Sequence, residues 1–189
     1  MNFFFLLSVL VLYARLGYNE VMPKISDKEA GRYEDALLVA VMAHRGQRRR
    51  SDGKPYITHP IAVSNSLSPE PSGMIVGLLH DVLEDCKLAY LRHNFLSVEW
   101  TEPSGAVDKE IQAQVHLTDE ERHALVLLTK HTGAGTYFEY IERICKSKNS
   151  LAKRVKLADL QHNLSTLIGE HSLKDRYLQS IQRINKALV

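Results

Sequence analysis

Apolar residues recur at helical spacing along most of the chain, in blocks separated by short polar breaks. Ser26-Asp27-Lys28-Glu29 is a capping-box pattern, in which the serine caps a helix and the glutamate reaches back to it. Tyr33, Leu37, Ala40, Val41 and His44 follow at helical period. Together they predict a helix from about Asp27 to about Arg48, with its closing basic residues at the negative pole of the dipole. Ser51 to Pro55 reads as a loop, and Pro60 fits the first position of a helix running to about Leu67. The stretch from Ser68 to Gly73 breaks the chain, and Met74 to Asp85, apolar nearly all round, reads as a buried helix. Thr118, with Glu121 three positions on, caps a helix over Asp119 to Lys130. His131 to Gly135 is a loop, and Tyr137 to Lys146 is helical. Asn149 or Ser150 caps a helix to about Ile168 that Gly169 closes, and a last helix runs from about Leu173 to Leu188. Residues 86–116 carry little pattern beyond a loop at Pro103-Ser104-Gly105. Strand-period alternation never persists, and no internal repeat is visible, so the expected fold class is all-α, in one compact unit.

Composition narrows this reading. The 189 residues suffice for one domain with a full core, and 44% apolar with 24% charged residues is a globular balance. Lys and Arg number 24 against 22 acidic residues, a net charge of +2. So small an excess gives no reason to expect nucleic acid as a partner. Cys86 and Cys145 form no CxxC pair, which excludes a disulfide framework and favours a reducing, cytoplasmic setting. Phe3 to Tyr13 is an apolar run of eleven residues, against roughly 20 for a membrane span. No basic residue precedes it and no small-x-small site follows it, as an export signal would require. The expectation is an N-terminal extension over 1–21, a domain over 22–189 and no membrane partner, with weak export or tethering as the alternative for the apolar run.

The chemistry lies where charged groups interrupt apolar helices. In Leu78-Leu79-His80-Asp81-Val82-Leu83-Glu84-Asp85, His80 and Glu84 share one face, and Asp81 and Asp85 the adjacent one. In Val155-Lys156-Leu157-Ala158-Asp159, the aspartate follows Val155 by four and Ala152 by seven, on the core stripe, and Asn163 continues it. Ionisable groups on such faces are costly unless a cation, a hydrogen-bond cage or a metal compensates them. If these segments meet, two neutral imidazoles and two carboxylates around one divalent ion would cancel its charge. That mixed set suits Mn²⁺, Fe²⁺ or Zn²⁺ and leaves positions for water and substrate. Glu84 and Asp85 would then be placed for proton transfer. The alternative for Asp159 is a buried partner for Lys156 or Arg154. Periodicity leaves the second histidine open between His44, at the end of a helix stripe, and His59, at a helix start.

Four ordered motifs carry a resemblance. They are Gly46-Gln47-Arg48-Arg49-Arg50, then Gly53-Lys54-Pro55-Tyr56-Ile57-Thr58-His59-Pro60, then the His80-Asp81 helix, then Val155 to Leu164. Over about residues 28–168 the chain resembles the hydrolase domain of RelA/SpoT-type alarmone enzymes, within the HD phosphohydrolase superfamily. The stand-alone small alarmone hydrolases are closest in shape. The resemblance implies one divalent metal, Mn²⁺ first, with Fe²⁺, Zn²⁺ or Mg²⁺ as alternatives. It implies a small nucleotide substrate and removal of the 3′-pyrophosphate from guanosine tetra- or pentaphosphate. Carried over by motif, the ligands are His59, His80, Asp81 and Asp159. Glu84 and Asp85 manage the water and proton, and Arg49, Arg50 and Asn163 face the nucleotide. Cys86 stands where the family usually has threonine, Leu160 and Ser165 where it often has arginine, and the segment from Cys86 to Lys153 matches poorly. The length leaves no room for a synthetase domain, so hydrolysis alone is expected. Two other readings are an HD-type phosphohydrolase of another nucleotide or dinucleotide cofactor, and a non-catalytic alarmone-binding protein.

Overall fold

Ser26 opens the first helix as its sequence predicts: its hydroxyl accepts from the Glu29 amide, and the Glu29 carboxylate accepts from the Ser26 amide. This helix, α1, spans Asp27–Ala43 and buries Ala36, Val39, Ala40 and Ala43. The computed structural model of the protein describes residues 25–85, 111–112, 114–130, 135–168 and 173–189. The apolar run at Phe3 to Tyr13, the thiol of Cys86 and the loop at Pro103 lie outside them.

Helix α1 is shorter than its periodicity suggests. It stops before Arg45, and its last turn carries no basic residue. Gly46, at φ +78°, turns the chain through the left-handed region that side chains disfavour. The arginines therefore lie in a loop, where Arg48 and Pro55 form an isolated antiparallel bridge.

Next come α2 (Thr58–Ser66), α3 (Pro71–Leu79) and the single-turn α4 (Val82–Asp85). The helix expected over Met74 to Asp85 is thus two pieces. It starts earlier because Pro71 takes a first-turn position, where its missing N–H costs nothing. It breaks at His80 and Asp81. There the His80 ring donates from Nδ1 to the Gly77 carbonyl at 2.8 Å, and the Glu84 amide turns back to the Asp81 carbonyl.

The second half holds α5 (Asp119–Leu128), α6 (Tyr137–Lys146), α7 (Ser150–Ser165) and α8 (Leu173–Leu188). Thr118 and Thr136 close capping boxes with Glu121 and Glu139. Asn149, rather than Ser150, caps α7 by accepting from the Ala152 amide at 2.8 Å. All regular secondary structure among the described residues is helical.

Helices α3 and α7 are central. α3 packs on α1, α2 and α5, and α7 on α2, α3, α5, α6 and α8. They carry side chains without solvent exposure, among them Ile75 and Leu78 on α3 and Val155 on α7. Burying each such side chain contributes about 1.5–3 kcal/mol. α2 approaches α3 closely because Gly77 has no side chain; a Cβ there would lie 2.9 Å from Ser64 Cα. Arg32 on α1 pairs with the fully buried Glu121, which also accepts from Ser72 at 2.8 Å, locking α1, α3 and α5 together. None of the helices among the described residues is long and apolar enough to cross a membrane.

Candidate metal centre

Three helices converge on one point. α2 delivers His59 from its first turn, the end of α3 delivers His80 and then Asp81, and the middle of α7 delivers Asp159. His59, His80 and Asp159 are buried, and each offers a ligand atom within 4.8 Å of the others. His59 Nε2 is 3.2 Å from His80 Nε2 and 3.1 Å from Asp159 Oδ1. Asp81 Oδ2 lies 3.1 Å from His80 Nε2 and 3.5 Å from His59 Nε2. His44 stands apart from the cluster. It is buried at the end of α1, stacked on Tyr56 with ring centroids 4.6 Å apart.

The donor set fits a divalent ion. Bonds of about 2.1 Å put neighbouring ligand atoms roughly 3.0–3.4 Å apart, close to the spacings here. Because His80 donates from Nδ1 to Gly77, a neutral His80 carries its lone pair on Nε2, facing the other ligand atoms. Lone pairs packed this closely need a cation. In the metal-free protein a proton takes that part: burial opposes the charged ring, but Asp81 and Asp159 overcome it and push His80 up to about 10. Burial likewise opposes ionisation of Asp81 and Asp159. His80 holds the first well below the carboxylate range, and Lys156 holds the second there.

A second layer of contacts fixes these groups. Tyr56 donates its hydroxyl proton to Asp81 Oδ2 at 2.7 Å. Lys156 donates to Asp159 Oδ2 at 2.7 Å, so the aspartate is at once an ion-pair partner and a member of the cluster. The Lys156 ammonium is raised well above its ordinary value: burial disfavours it, but Asp159 outweighs that. It also lies 5.1 Å from the centroid of the Tyr140 ring, whose hydroxyl burial pushes up to about 12. Asn163 donates to Asp159 Oδ1 at 2.6 Å, while its own carbonyl oxygen accepts from Arg49 at 3.4 Å.

Two cavities meet at the cluster. One, of about 690 Å³, is lined by Arg48, Arg49, Arg50 and Ser51 on one side and by Asn163 and Tyr177 on the other. The smaller, of about 260 Å³, is lined by Asp81, Glu84, Lys130 and Lys156. His59, Tyr56, Asn163 and Tyr177 border both. Arg49 is buried, with its guanidinium on Thr166 at 2.7 Å, whereas Arg50 is exposed. Glu84 is exposed, and its carboxylate accepts from the Lys130 amide at 3.1 Å. Asp85 closes α4, and its side chain lies outside what the structure describes.

His162, to which the sequence analysis assigns no role, also enters the site. Its Nδ1 is 2.7 Å from Nδ1 of His59. Burial, then the adjacent His59 and Arg49, push its ring down to about 4, so it is neutral. The signal was present: His162 follows Val155 by seven and Ala158 by four, on the inward stripe. Tyr56 and Tyr177 border the same cavities, and nothing in the sequence pattern assigns them a role.

An all-helical fold closed around clustered His and Asp side chains defines the structural class, and relatives give the lineage. The chain is 31% identical over 172 residues to the GTP pyrophosphokinase of Streptomyces coelicolor, covering 87% of this chain and 17% of that protein. It is 31% identical over 133 residues to the guanosine-3′,5′-bis(diphosphate) 3′-pyrophosphohydrolase of Haemophilus influenzae, covering 69% of this chain and 18% of that protein. It is 42% identical over 69 residues to the bifunctional (p)ppGpp synthase/hydrolase SpoT of Escherichia coli, covering 35% of this chain and 10% of that protein. No family profile matches the chain. The chain belongs to the RelA/SpoT family, and its helical fold is consistent with the HD-type hydrolase domain. It spans less than a fifth of the length of these relatives.

Proposed function

We propose that the chain is a metal-dependent pyrophosphohydrolase that converts guanosine tetra- or pentaphosphate and water to GDP or GTP and pyrophosphate. The observation that carries this reading is the convergence of His59, His80 and Asp159, with Asp81 beside them, at the edge of an arginine-lined cavity. Those four residues would hold the ion, with Mn²⁺ as the proposed one. The ion supplies Lewis acidity, which brings the pKa of water from about 15.7 towards 7.

The protein's own groups do the rest. Arg50 is free to meet the diphosphate from the cavity wall, and Arg49 meets it from a fixed position, since guanidinium groups pair with phosphate oxygens in bidentate fashion. Asn163 keeps Asp159 oriented and borders the nucleotide cavity. Glu84 and Asp85 handle the protons: one leaves the attacking water, and one reaches O3′ as its bond to phosphorus breaks. Names of relatives include both a pyrophosphokinase and pyrophosphohydrolases. The hydrolytic direction rests on the resemblance of the His80-Asp81 to Asp85 and Asp159 motifs to the hydrolase domain.

Product identity tests this reading. Purified chain with Mn²⁺ and guanosine 3′,5′-bis(diphosphate) is expected to yield GDP and pyrophosphate in equal amounts. Orthophosphate as the sole phosphorus product would point instead to a phosphatase of another nucleotide. A Glu84→Ala variant is expected to bind the nucleotide with turnover reduced at least about 100-fold, as loss of a proton-transfer group typically costs.

A further inference from the structure

We propose that His162 is a positioning residue that fixes the proton of His59 on Nδ1, so that Nε2 of His59 faces the metal centre as a bare lone pair. This rests on the proposed metal-dependent hydrolysis and deepens it.

The two Nδ1 atoms are 2.7 Å apart, a distance at which one ring donates and the other accepts. The rings are tilted by 31° with centroids 4.9 Å apart. His59 alone leaves the direction open. Its Nε2 lies 3.1 Å from Asp159 Oδ1, so a proton on Nε2 could go to that carboxylate instead.

Arg49 decides the direction from the other side. Its Nη1 faces the same His162 Nδ1 at 3.5 Å, and a guanidinium has donors only. A proton on His162 Nδ1 would set N–H against N–H. His162 therefore accepts at Nδ1 and keeps its proton on Nε2. His59 donates from Nδ1, which strips Nε2 of its proton and leaves it a ligand.

Arg49 is held in place by Thr166 Oγ1 at 2.7 Å, by Asn163 Oδ1 at 3.4 Å and, more distantly, by Asp52 at 3.8 Å. Thr166 is the residue after α7, one turn beyond His162. The helix that carries Asp159 to the centre thus also sets the proton on His59, which stands on α2. Such outer partners of ligating histidines typically contribute 10–100-fold in metal affinity.

The test is titration of the full, metal-stripped chain with MnCl₂, followed by calorimetry. Wild type is expected to bind one ion. His162→Leu, which removes the acceptor at similar bulk, is expected to bind about 10–100-fold more weakly. His162→Asn, whose Oδ1 falls near the position of Nδ1, is expected to restore most of that loss. The melting temperature of each metal-free variant separates this loss from misfolding. Equal affinity in wild type and His162→Leu, or no recovery in a folded His162→Asn, overturns the positioning role and leaves the metal centre standing. Failure of wild type itself to bind overturns the centre, and the role with it. A check needing no variant is the ¹⁵N spectrum of the Zn²⁺-loaded wild type. His59 is expected to be protonated at Nδ1 and His162 at Nε2, and the reverse assignment overturns the proposal.

Discussion

Tyr56 donates its hydroxyl proton to Asp81 Oδ2 at 2.7 Å, joining the loop that leads into His59 to the end of α3. Asp81 is the most exposed of the four clustered side chains, at 20%, so a fixed donor matters more for it than for Asp159, which Lys156 and Asn163 already hold. Tyr56→Phe removes this donor and keeps the ring. It is expected to weaken Mn²⁺ binding by roughly 10-fold with little change in unfolding free energy. Calorimetric titration beside a urea melt checks both.

Lys156 and Asp159 form a buried ion pair at 2.7 Å. Removing one member of such a pair leaves an uncompensated charge and typically costs about 3–5 kcal/mol. Lys156→Met keeps the stem and removes the cation. The metal-free variant is expected to lose about 3 kcal/mol in urea unfolding, with part returning on adding Mn²⁺, as the ion replaces the lost positive charge. A loss below about 1 kcal/mol would place the pair outside the energetics of the site.

The pH dependence of the metal-free protein follows from His80. Its folded pKa, about 10, exceeds the ordinary 6.5, so the stability it contributes is fully present below 6.5 and is lost as pH rises towards 10. Asp81 and Asp159 are shifted the other way, and their contribution is present above the ordinary 3.8 and lost as pH falls below it. The EDTA-treated chain is expected to melt at progressively lower temperature between pH 6.5 and 10, and a His80→Gln variant to show a flatter profile. Mn²⁺ affinity is expected to rise over the same interval, because the ion displaces that proton. Equal slopes in wild type and variant would contradict the assignment.

Gly77 is where packing and chemistry meet. Its missing side chain lets α2 approach α3, and its carbonyl accepts from His80. A Cβ at Gly77 would meet backbone atoms of Ser64 at 2.9 and 3.0 Å. Gly77→Ala is therefore expected to cost about 1–3 kcal/mol. It is also expected to weaken metal binding, since the shift reaches His80. Urea unfolding and Mn²⁺ titration report the two effects separately.

The helices of this protein were legible where local chemistry sets them. The Ser26/Glu29 and Thr118/Glu121 pairs cap as their spacing predicts, and α6 and α8 match the predicted spans. Periodicity overran where a single residue ends a helix. It passed through Gly46, whose positive φ closes α1, and through His80, whose ring takes the Gly77 carbonyl. Of the four proposed ligands, Asp159 was visible as a charge on a core stripe, and His80-Asp81 as charges on an apolar helix. His59 was separable from His44 only by resemblance, because both sit at helix ends and the distinction is one of tertiary contact. Tyr56 and His162 were missed for a related reason. Each touches a ligand from a distant part of the chain, 25 residues away for Tyr56 and Asp81 and 103 for His162 and His59.

Pyrophosphate release from guanosine 3′,5′-bis(diphosphate) can be followed in metal-stripped protein before and after one equivalent of Mn²⁺. If His59, His80, Asp81 and Asp159 hold one catalytic ion, release is absent before addition and reaches its full rate near one equivalent. Release that is undiminished without the ion, or absent in its presence, would contradict a metal-dependent hydrolase.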